Sequence, residues 1–148
     1  MFLWMTGGAV FRLQTPQPNP VGKWKPTELI RPDELISKIR GKQENKPLII
    51  FTGFSATYRA GHIPGAVFGG PASSSAGVDA LKRAVGNVAK SREIVVYCAC
   101  CPWEACPNVR PAFEALVQLG YKQVKALMIP SNLEVDWLNK GYPLDKGA

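Results

Sequence analysis

The chain carries short, uninterrupted apolar runs separated by stretches whose apolar residues recur at helical spacing. Leu48-Ile49-Ile50-Phe51, bounded by Pro47 and Gly53, reads as a strand buried on both faces. Ile94-Val95-Val96-Tyr97 reads the same way, and residues 124–129 supply a third strand. Ala66-Val67-Phe68, after the turn-rich Gly61-His62-Ile63-Pro64-Gly65, reads as a shorter one. Between these runs lie four helical patterns. Residues 32–39 open with Pro32 and two acids, which suit a first turn. Residues 78–89 place Leu81, Val85 and Val88 on one face, residues 108–119 close at Gly120, and residues 135–140 precede Gly141. Pro16, Pro18, Pro20 and Pro26 make residues 14–26 an extended approach.

Strands that alternate with helices predict an α/β fold with a central parallel sheet flanked by helices on both faces. Such sheets bind ligands at the carboxyl ends of their strands. The run 94–97 is the expected central strand, which puts Cys98 at its carboxyl end. Residues 1–27 read as a lead-in and residues 28–148 as one domain, and the length suits a single core.

Composition is ordinary, at 46% hydrophobic and 20% charged residues, and no apolar run reaches the length of a membrane span. The net charge of +7 is dispersed, which reads as a solvated basic surface or as steering of a small anion. The clustered basic residues with interleaved aromatics that nucleic acid requires are lacking. Residues 1–11 are apolar without a basic n-region, and read as a signal-peptide remnant or as a leading segment packed on the domain. Cytoplasmic and periplasmic locations both fit.

The four cysteines all fall within residues 98–106, directly after the central strand. A secreted disulfide framework distributes its cysteines to staple distant segments, so this is another kind of site. A thiol between a strand end and a helix N-terminus meets open N–H groups that favour the reactive thiolate.

Four segments, in order, resemble the rhodanese family of thiosulfate sulfurtransferases. They are Tyr58-Arg59-Ala60-Gly61-His62-Ile63-Pro64-Gly65-Ala66; Ile94-Val95-Val96-Tyr97-Cys98; the helix through Ala112 and Leu116 with Leu119-Gly120-Tyr121 and Val124; and Trp137-Leu138-Asn139-Lys140-Gly141-Tyr142-Pro143. Together they span residues 28–144. The resemblance implies a rhodanese-like fold and a cysteine persulfide mechanism without a cofactor. It makes His62, the sole histidine, a structural turn residue.

The chain departs from that pattern in three places. Phe51 and Gly53 stand where the family usually carries an Asp and an Arg, and Ile129-Pro130-Ser131 replaces a Gly-Gly. The active loop is also longer. Counting back from Leu116 without gaps reaches Trp103, so a nucleophile at Cys98 needs about five inserted residues, which hold the other three cysteines. The loop is similar to an atypical Cys-x-Cys-Cys-Pro-Trp-x-x-Cys-Pro-Asn subset of the family.

The expected chemistry is transfer of sulfane sulfur from a small anionic donor such as thiosulfate to a thiol, protein or cyanide acceptor. Strand position favours Cys98 as nucleophile; Cys106 competes because it lies closest to the helix start. Cys101 and Cys100 are candidate resolving thiols. Arg110 is expected to face the donor's sulfonate, Asn108 to cap the helix beside it, and Trp103 to shield the loop, contact an acceptor or fill space. The alternative is a non-catalytic binding or redox-sensing module whose cysteines form a disulfide or bind metal. Against a metal, the Cys-x-Cys-Cys-x4-Cys spacing makes adjacent ligands strain one tetrahedral centre. Phosphatase chemistry is excluded, because no arginine lies six residues after any cysteine.

Overall fold

A computed structural model describes residues 24–148; residues 1–23, which carry the apolar start and most of the lead-in, lie outside the described residues. Five strands form one parallel sheet: β1 (Leu29–Ile30), β2 (Leu48–Phe51), β3 (Val67–Phe68), β4 (Glu93–Tyr97) and β5 (Gln123–Leu127). Their order is β1-β5-β4-β2-β3, so β4 is central as the pattern predicts. The helices are α1 (Pro32–Arg40), α2 (Ser55–Ala60), α3 (Ser75–Ala84), α4 (Val109–Gln118) and α5 (Leu133–Asp136).

Residue parity on the strands divides the core in two. Ile50, Ile94, Val96 and Ala126 pack with Leu81 of α3 and with Val109, Ala112, Phe113 and Leu116 of α4. Ile49, Phe51, Val95, Tyr97 and Leu127 pack on the other face with Leu35 and Ile36 of α1, Tyr58 of α2 and Leu133 of α5. Both faces are therefore covered, which is why these strands read as continuous apolar runs. Cys98 continues the parity of Val96 and joins the α3/α4 side of the core. Among the described residues no helix is long and apolar enough to cross a membrane.

Several boundaries differ from the sequence pattern. The helix expected over 78–89 runs over Ser75–Ala84, because the Ser74 hydroxyl accepts the Gly77 N–H at 3.1 Å and starts it early. The helix expected over 135–140 is two pieces, α5 and a 3-10 turn Leu138–Lys140, broken where Trp137 leaves helical geometry (φ −127°, ψ −66°). The third strand ends at Leu127 rather than 129, although the Met128 N–H still reaches Ile30 O at 2.9 Å. At the inner end of the lead-in, Pro26–Glu28 is a 3-10 turn rather than extended chain.

Candidate active site

The loop from Cys98 to Asn108 leaves the carboxyl end of β4 and is held at several points. The Thr52 N–H and hydroxyl both donate to Tyr97 O, at 2.9 and 3.1 Å, fixing the strand end. The Trp103 N–H donates to Ile129 O at 3.1 Å, and Ala99 O accepts from Leu133 N–H at 3.1 Å, so the inserted residues lie against the β5–α5 connection. Trp103 itself is buried in the α3/α4 side of the core, which supports space-filling; its indole N–H has no partner among the described residues.

Asn108 holds the position before α4, but its side chain makes no capping bond. Its Oδ1 instead accepts the Ser73 N–H at 3.0 Å, tying the loop to the connection between β3 and α3. Asn108 is thus a loop-positioning residue and not the expected helix cap. Asn108→Ala removes this part-buried hydrogen bond, and we expect a loss of about 0.5–1.5 kcal/mol in a denaturant titration.

All four thiols are free and converge. The Cys98 and Cys100 sulfurs are 3.7 Å apart, and those of Cys100 and Cys101 are 3.5 Å apart. Cys106 lies at the start of α4, where the Cys98 and Cys101 thiols and the Asn108 and Val109 N–H groups favour its thiolate. The Cys98 thiol leads these donors in pulling the Cys106 pKa down to about 6 against the opposing effect of burial. Cys98 moves strongly upward, first because its proton is the one shared with Cys106 and then because it is buried. Cys101 is pushed up to about 12, mainly by burial and then by its bonds to Cys100 and Cys106. Cys106 is therefore the acidic thiol, as its place beside the helix start suggests, while strand position favours Cys98.

Exposure divides the thiols into two pairs. Cys98 and Cys106 are 4% and 5% exposed, Cys101 is half-buried and Cys100 is exposed. The outer pair therefore lies between solvent and the acidic thiol.

A family model for the rhodanese-like domain matches residues 31–128. The chain belongs to the rhodanese-like domain family. Solved structures agree with this fold. The BH2092 protein of Bacillus halodurans shares 20% identity at a TM-score of 0.63, over 81% of this chain and 77% of that one. The Alr3790 protein of Anabaena sp. shares 25% identity at a TM-score of 0.62, over 80% and 92%. A thiosulfate sulfurtransferase of Pseudomonas aeruginosa shares 22% identity at a TM-score of 0.60; the match covers 85% of this chain and 22% of that protein. No curated protein sequence matches the chain.

Against that family the departures acquire physical reasons. Phe51 is fully buried and packs edge-on to Tyr97 at 5.4 Å and beside Tyr58 at 5.7 Å, so aromatic packing replaces a charge network. A Cβ at Gly53 would lie 3.0 Å from Cys98 Sγ and 2.9 Å from the Phe51 ring, so the glycine makes room for the first cysteine. Sequence reasoning registered Gly53 only as a missing arginine.

Arg110 is in the first turn of α4 as expected, yet its guanidinium lies 3.7 Å over the Trp24 ring and its Nε is 3.9 Å from Glu114. The structure thus pairs it with Trp24 and Glu114. His62 stacks on Tyr58 at 4.0 Å, its Nδ1 is 2.9 Å from Tyr58 O, and its backbone pairs with Asp145. That is the structural turn role the resemblance implies.

Proposed function

We propose that this rhodanese-like domain is a sulfurtransferase in which Cys106, rather than Cys98, carries the transferred sulfur. The observation that supports it is the acidity of Cys106, brought down to about 6 first by the Cys98 thiol and then by the Asn108 and Val109 N–H groups at the start of α4. A thiolate held this way is ionised at neutral pH and faces the positive end of the helix dipole. It attacks the outer sulfur of an anionic donor such as thiosulfate. The donor's S–S bond breaks, sulfite departs with the electron pair, and a persulfide remains on Cys106. An acceptor thiol or cyanide then attacks the outer sulfur, and the Cys106 thiolate leaves.

With Arg110 occupied by Trp24, the backbone amides bear the donor's charge. Cys100, exposed and in contact with both Cys98 and Cys101, offers a route for sulfur between the buried thiol and solvent. The fold likeness to the Pseudomonas aeruginosa thiosulfate sulfurtransferase agrees with this reading.

The second reading is a non-catalytic binding or redox-sensing module. The same engagement of Arg110 favours it, together with the aromatic residue at position 51. Incubating reduced, metal-free protein with thiosulfate and measuring its intact mass separates the two. Gain of one sulfur atom supports transfer, and an unchanged mass supports the module.

The acidity also has a signature. The ultraviolet absorbance of the thiolate, followed from pH 4 to pH 8, should rise with a midpoint near 6 and vanish in Cys106→Ser. Because the folded pKa lies below the unfolded value of about 8.5, ionised Cys106 contributes stability in full above that pH. The contribution declines as pH falls and is gone below about 6. Melting temperature should therefore drop on acidification through that window, and the slope should shrink in Cys106→Ser.

A further inference from the structure

The geometry points to a second capacity of the same loop, independent of sulfur transfer: we infer that Cys98, Cys100 and Cys101 form a three-thiolate site for a thiophilic d10 cation, Zn(II) or Cu(I). Adjacent cysteines were expected to strain a single centre. The structure removes that objection, because the Cys100 and Cys101 sulfurs converge to 3.5 Å and the Cys98 sulfur stands 3.7 Å from Cys100. All three sulfurs lie within 4.8 Å of one another. A metal–sulfur bond of about 2.3 Å places the sulfurs of a tetrahedral centre about 3.8 Å apart, close to the spacing already present. Cys106 lies outside this three-sulfur group, so the fourth position of a tetrahedral ion falls to water or an incoming ligand.

Two further features fit a metal better than an anion. The donor set is wholly thiol, which selects soft cations over magnesium or calcium. Arg110 is stacked on Trp24, so a cation bound among the sulfurs meets no fixed positive charge from that side chain. Exposed Cys100 supplies the entry path. Binding deprotonates each ligand that is still a thiol and releases one proton for each.

The test uses the reduced full chain, titrated with Zn(II) against a chromophoric chelator and, separately, with Cu(I) against a Cu(I)-specific chelator. Co(II) serves as a spectroscopic stand-in for zinc. The expected result is one equivalent of Zn(II) or Cu(I) per chain, with at least three thiols protected from alkylation. For zinc, Co(II) should give sulfur-to-metal charge-transfer bands with tetrahedral intensity in the visible. Cys100→Ser changes only an exposed side chain and should weaken binding at least tenfold, a loss of the order seen when metal-site residues are changed. Binding of neither metal at one equivalent would overturn the inference. So would binding that leaves the thiols open to alkylation or is unchanged in Cys100→Ser. None of these results bears on sulfur loading of the metal-free protein, which is read by mass.

Discussion

Cys106→Ser is expected to lower thiosulfate-dependent sulfur transfer by at least about a thousandfold, and Cys98→Ser by only about tenfold. The difference follows from what each sulfur does. Cys106 is the acidic thiol of the cluster, its pKa brought down to about 6 first by Cys98 and then by the Asn108 and Val109 N–H groups. A serine hydroxyl in its place stays protonated at neutral pH and is a poor nucleophile toward sulfur. Cys98 is one of the donors. A serine there still offers a proton to Cys106, with a shorter reach, so the thiolate is weakened rather than lost. Cys98→Ala removes the donor altogether and should raise the midpoint of the thiolate titration while leaving some transfer. Steady-state rates with a saturating acceptor check the ranking, and circular dichroism confirms that each variant is folded. If Cys98 were the nucleophile, the ranking of the two serine variants would reverse.

Gly77→Ala should cost about 3 kcal/mol or more, a loss near 10 °C in melting temperature for a domain of this size. An added Cβ would stand 1.8 Å from Pro71 O and 2.4 Å from its carbonyl carbon. These are backbone atoms, so no side chain can rotate away. The Pro71 turn would have to move, and it is tied in two directions. The Ala72 N–H reaches Thr52 O at 3.4 Å, next to the Gly53 that packs on Cys98, and the Ser73 N–H holds Asn108. Displacement of the turn therefore reaches both ends of the cysteine loop. The variant should lose sulfur loading along with stability, although Gly77 contacts neither Cys98 nor Cys106 in the set of atoms nearest its added Cβ. A thermal scan and an intact-mass assay well below the melting temperature check the two effects separately.

Much of this architecture is legible in the chain because burial on both faces writes continuous apolar runs. β2 and β4 appear directly as Leu48–Phe51 and as the run 94–97, and their parallel pairing follows from the helical patterns between them. β1 is invisible to the same reasoning because two residues, Leu29 and Ile30, carry no period. α2 is missed because among its six residues only Tyr58 is buried, so it shows no apolar stripe.

At the site, the sequence places the cysteines at the right end of the sheet and Cys106 beside the helix start, which marks it as the thiol open to a lowered pKa. Which sulfurs meet depends on packing. Arg110 and Asn108 show the same limit. Their partners, Trp24 and Ser73, are far away along the chain and are brought close only by packing.

The measurement that tests the central claim most directly is the location of the added sulfur in the unaltered protein. Reduced, metal-free chain is exposed to thiosulfate, its persulfide and thiols are capped, and the chain is cleaved after Glu104, which separates Cys106 from the other three cysteines. The account predicts the extra sulfur in the fragment that begins at Ala105. Sulfur found only in the fragment that ends at Glu104 would contradict it and return the nucleophile to the end of β4.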